Sequence, residues 1–127
     1  MSTWRHLLLE HFPEFDHGPE SWDLIMAAAR LSALLERSVR IGENEAGTRV
    51  LRFVLWADEQ SKADERFIYF CQDVMRSTIT YPSLRPVFTT LLNGRSFAQI
   101  VGYVEYLTSK SVVAEMAAAV RALRRED

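Results

Sequence analysis

Cysteine is nearly absent from this chain. Cys71 is the single one, so no internal disulfide can form and a packed core must hold the fold. Glycine is also scarce: five residues, in neither the P-loop nor the GxGxxG arrangement, which excludes nucleotide binding by those routes. No apolar run approaches the roughly 20 residues that span a bilayer. The opening MSTWRHLLLEHF has a three-leucine run followed by charge, unlike a secretory signal, and a cytosolic protein without membrane association is expected. Charge of one sign is lacking too. Lysine and arginine number 15 against 17 acids, a net charge of −2, whereas nucleic-acid binders concentrate basic charge on one face. Only Arg121, Arg124 and Arg125 form a short basic group, and Glu126 and Asp127 follow it. Nucleic acid is therefore a disfavoured partner, and retention through that end would be steeply salt-dependent.

Apolar side chains at helical intervals are abundant. The sequence of 127 residues is long enough to bury a real core as a single domain over 1–127. Its organising stretch is Asp64 to Thr80, where Phe67, Phe70, Cys71, Val74 and Thr78 recur three and four apart. We expect this to be the helix against which the others pack, with Cys71 an inert buried thiol. Before it, one helix is expected from Ser2 or Thr3 to about Phe12, ended by Pro13, and a second from about Glu20 to Arg40. Gly42 to Gly47 reads as a loop, and Thr48 to Gln60 as a third helix with Arg49, Arg52 and Glu59 outward. Ser61 could cap the central helix. After it, Ser83 to Leu92 ends at Asn93-Gly94 in the manner of a left-handed cap. Ser96 then caps a sixth helix to Leu107, and Lys110 or Ser111 opens a seventh, burying Val113, Met116, Ala117, Val120 and Leu123. The β-branched residues before Pro82 could be a strand, but nothing else in the chain would pair with it. The fold class is all-α: a compact antiparallel bundle or stack of about six to seven helices.

No catalytic constellation emerges. His6 and His11 are five apart and point in different directions, so neither they nor His17 have helical metal-ligand spacing. Asp58 and Glu59 diverge on a helix, and Asp64-Glu65 suits a helix start. No catalytic residue, metal or cofactor is expected.

Aromatic residues among charges are the more informative signal. Trp56 lies beside Arg52 and Glu59, Tyr69, Asp73 and Arg76 align at four and three, and Tyr103 and Tyr106 sit three apart off the apolar stripe. Tyrosine, tryptophan and arginine dominate protein interfaces, so these six residues are candidates for docking a protein partner or a second copy. The plainer alternative is that the aromatics fill gaps between helices. A different class of function, a small-molecule binder or enzyme with a pocket between helices, requires groups such as Tyr69, Arg76 or His11 to converge.

The stretch LLLEHFPEF, residues 7–15, with its Leu-Leu-x-x-Phe-Pro pattern, resembles the first helix of small bacterial all-helical proteins of unknown function, some grouped with toxin-immunity proteins. The resemblance implies a cytosolic protein that acts by binding, and it transfers no functional residues.

Overall fold

The apolar stripes three and four residues apart cannot be buried by a strand, and the described residues fold as helices joined by short turns. The computed structural model describes residues 2–123, which contain seven α-helices and, among the described residues, no strand. These are α1 (Thr3–His11), α2 (Leu24–Ile41), α3 (Glu45–Gln60), α4 (Arg66–Ile79), α5 (Arg85–Leu91), α6 (Gly94–Leu107) and α7 (Lys110–Leu123), with 3-10 turns at Pro13–Phe15 and Gly18–Ser21. The β-branched stretch before Pro82 continues α4. Its Thr78 is buried and donates its hydroxyl to the Val74 carbonyl at 2.5 Å, which satisfies the side chain within the helix.

The centre is shared by two helices. α4 packs most extensively on α2 and also on α3 and α6, while α3 reaches α1, α2, α4, α5 and α6. α4 is thus not the sole helix on which the others rest: α1 and α5 lean on α3, and α7 on α5 and α6. Phe53 of α3 shows why. Fully buried, it meets His11, Trp56 and Phe70 with ring centroids 5.9, 5.5 and 5.6 Å apart, linking α1, α3 and α4 in one aromatic cluster.

Several boundaries differ from the sequence reading, each for a local reason. α2 begins at Leu24 because Pro19 sits in a 3-10 turn and Asp23 is the cap, its Oδ1 accepting from the Met26 amide at 2.8 Å. α3 begins at Glu45, so the loop shrinks to Gly42–Asn44. Gly42 takes φ 71°, the left-handed geometry that closes α2. Ala46 and Gly47, read as loop, are buried, and a Cβ on Gly47 would stand 3.3 Å from Leu84 Cδ2.

Ser61 closes α3 instead of capping α4, donating to the Asp58 carbonyl at 2.5 Å. Asn93 is no left-handed C-cap. It is extended and opens α6, exchanging hydrogen bonds with Ser96 in a capping box. On α7, Met116 and Val120 are buried, but Leu123 is exposed where the last turn leaves the core.

Arg49, expected outward, instead ties α1 to α3. Its Nη1 donates to the His11 carbonyl at 3.1 Å and to Glu14 Oε1 at 2.6 Å, with the guanidinium over the Phe12 ring. Arg5 holds the other side of this corner, giving two hydrogen bonds to the Trp22 carbonyl at 2.9 and 2.6 Å. No described helix is long and apolar enough to cross a membrane.

Candidate functional site

The cap at Asp23 decides what α2 presents at its start. With the helix opening there, Leu24 turns into the core, and Ile25, rotated by about 100°, is left outside with 76% of its surface exposed. On α4 the same arithmetic buries Phe67, Phe70, Cys71 and Val74 and leaves Tyr69, 62% exposed, with Asp73 one turn further on the open side. Where the two helices meet they enclose a groove of about 460 Å³, lined by Leu24, Ile25, Tyr69 and Phe70, with Asp23, Arg66 and Asp73 completing its wall.

The polar groups of this wall are unequal. Arg66 is committed: its Nε and Nη2 grip the Asp64 carboxylate at 3.1 and 2.7 Å, a bond that holds Asp64 below the usual carboxylate range. Asp23 is partly engaged as the α2 cap. Asp73 is exposed and makes no ion pair with any described residue.

The six residues singled out from sequence do not form one face. Tyr69 and Asp73 line the groove, and Arg76 is exposed one turn beyond it, outside the lining. Trp56 does not stand on an exposed polar side. It is half-buried between Phe53 and Phe67, at centroid distances of 5.5 and 5.7 Å, and acts as a wedge between α3 and α4.

Tyr103 and Tyr106 part company. Tyr106 is 68% exposed, whereas Tyr103 packs against the core and donates its hydroxyl to Asp58 Oδ1 at 2.7 Å. Burial, then the bond to Asp58, raises the Tyr103 pKa. Burial likewise pushes the neighbouring Cys71 thiol up to about 12, and its Sγ lies 3.7 Å from the Val54 carbonyl. At neutral pH this is a protonated, unreactive pair.

Of Tyr69, Arg76 and His11, only Tyr69 reaches the groove. The His11 Nδ1 bonds the Leu7 carbonyl at 2.9 Å, and His17 lies on the surface between Asp16 and Glu20, whose hydrogen bond with the ring raises the histidine pKa. Among the described residues no group of three or more histidine, cysteine or acidic side chains is gathered to hold a metal ion.

Sequence reading missed Asp23, Ile25 and Arg66 as members of the site. A signal existed in Leu24-Ile25-Met26: three consecutive apolar residues after a cap cannot all face inward on a helix, so part of that run must be exposed. Arg124 and Arg125 of the basic end lie outside the described residues, and Arg121 is exposed on the last turn of α7. Compared with protein-family models, with curated proteins and with solved structures, the chain finds no match in any of the three.

Proposed function

We propose that this chain is a non-enzymatic interaction protein that docks a protein partner on the outer face of α2 and α4. The observation that carries the reading is the groove at their junction, where Ile25 and Tyr69 leave apolar and aromatic surface in water beside Asp73. Isolated exposed apolar residues are ordinary, but two large ones flanking a concavity with a polar rim have the composition of an interface centre. Tyr69 is the residue expected to contribute most, being large, amphipathic and limited to two side-chain torsions. Arg76, exposed on α4 one turn beyond the groove, and Tyr106, exposed on α6, would at most border such a contact, while Trp56 and Tyr103 serve the packing that holds the face rigid. The resemblance of residues 7–15 to helical proteins grouped with immunity factors fits a molecule that works by binding alone, and in that setting the partner would be a toxin.

The test is affinity capture from the native host with the wild-type chain and the Ile25→Ser/Tyr69→Ser variant side by side, read by mass spectrometry. A partner retained by the first and lost by the second, with helical circular dichroism unchanged, supports the face. A partner held equally by both removes it.

A further inference from the structure

The imbalance of charge around the groove narrows its occupant. Among the described residues that line it, Arg66 is the sole guanidinium, and it is already paired with Asp64 at 2.7 Å. Asp23 and Asp73 make no ion pair among the described residues, and Arg76, three residues after Asp73 on α4, lies outside the lining. The positive end of the α2 dipole offsets part of the Asp23 charge, which leaves Asp73, midway along α4, as the carboxylate of the lining with neither a cap role nor an ion pair, beside the exposed Tyr69 ring. A cation carried on an apolar scaffold can pair with Asp73 and rest on the face of Tyr69.

We propose that the groove accepts a cationic amphipathic helix of a partner protein. One apolar side chain enters between Ile25, Tyr69 and Phe70, and a lysine or arginine of the same helix pairs with Asp73. The inference rests on the docking reading above and specifies its partner. A cleft of about 460 Å³ between two helices suits the few anchoring side chains of a helix laid into a groove, not the broad surface of a domain.

The probes are a fluorescent amphipathic peptide of leucine and lysine in a heptad pattern and its twin with every lysine replaced by glutamate. Both are titrated into the full chain by anisotropy at two salt concentrations. The lysine peptide should bind with a Kd on the order of 10 µM or tighter and weaken as salt rises, and its twin should bind at least about tenfold more weakly. Asp73→Asn, nearly isosteric and on the solvent side, should cost roughly three- to tenfold in affinity for the lysine peptide and flatten the salt dependence. Glu115→Gln, on α7 away from the groove, should change neither.

Equal binding of the two peptides, no effect of Asp73→Asn, or no binding of the lysine peptide below about 1 mM overturns the proposal. So does a dimer in light scattering that dissociates on Tyr69→Ser, which would make a second copy the occupant. The two levels separate cleanly. A captured partner lost on Ile25→Ser/Tyr69→Ser but retained by Asp73→Asn keeps the face and removes its cationic ligand. A partner indifferent to both variants removes the face.

Discussion

Tyr103 reaches from α6 to Asp58 on α3 at 2.7 Å, with the Cys71 thiol of α4 beside it, so three helices meet at one small polar cluster. The acceptor is a carboxylate, which strengthens the bond, but Asp58 is half-exposed and water can replace the lost donor. Tyr103→Phe should therefore cost about 1–2 kcal/mol, measured by urea unfolding. The two raised pKa values also fix a sign. A group whose pKa is higher in the folded chain lends stability that is complete below its unfolded value and is lost as pH rises toward the folded one. For Cys71 that window opens near the ordinary 9.0 and runs to about 12, and Tyr103 adds to it from its own ordinary 10.0 upward. Stability should fall above pH about 9, and less steeply in Tyr103→Phe. At neutral pH the native thiol should react with a disulfide reagent only as fast as the chain opens, and free-cysteine rates in the folded protein would contradict its burial. Cysteine burial was legible because Cys71 falls on the apolar stripe. The Asp58–Tyr103 bond was not, since periodicity says which side of a helix is wet but not which polar group on another helix lies opposite.

At the scale of elements, termini decide more than interiors do. Asn93-Gly94 suits either a helix stop or a helix start, and Ser96 three residues after Asn93 selects the start through its reciprocal hydrogen bonds. Asn93→Ala should remove about 1 kcal/mol and fray the first turn of α6, visible as faster amide exchange there and not in α3. The long loop expected between α2 and α3 failed for a related reason. Gly47 looks like a breaker, yet it is the helical position where the start of α5 comes close: a Cβ there would press on Leu84 at 3.3 Å and meet Val87 and Phe88 at ordinary contact distance. The α1 corner depends on charge. The hydrogen bond from Arg49 lowers the Glu14 pKa below its ordinary 4.5, so the pair lends stability above that value and loses it as pH falls through the folded pKa. Glu14 is substantially exposed, which limits the gain to under about 1 kcal/mol. Glu14→Gln should be slightly less stable than wild type at neutral pH and equal to it at acid pH, by paired denaturation curves. A gap that widens on acidification would mean that the Arg49 clamp acts through something other than charge.

For the molecule as a whole, the proposed function requires that the surface which binds be separable from the packing which folds. The seven-helix architecture was readable because each stripe needs only its own neighbours in sequence. The groove was not, because it exists only once α2 and α4 are side by side, and neither helix announces its partner. That geometry makes the separation testable. Phe53 is fully buried where α1, α3 and α4 meet, and Phe53→Ala removes ring contacts to three other aromatic residues as well as leaving a void. Its expected cost is about 3–5 kcal/mol, a large share of the roughly 5–15 kcal/mol that holds a domain of this size. Ile25 and Tyr69 have most of their surface in water already, so Ile25→Ser and Tyr69→Ser should move the unfolding free energy by no more than about 0.5 kcal/mol. Thermal melts followed by tryptophan fluorescence and circular dichroism give both numbers from one experiment. A Tyr69→Ser chain that melts as early as Phe53→Ala would place that tyrosine in the packing, and any loss of binding it caused would then report lost structure, not a lost contact.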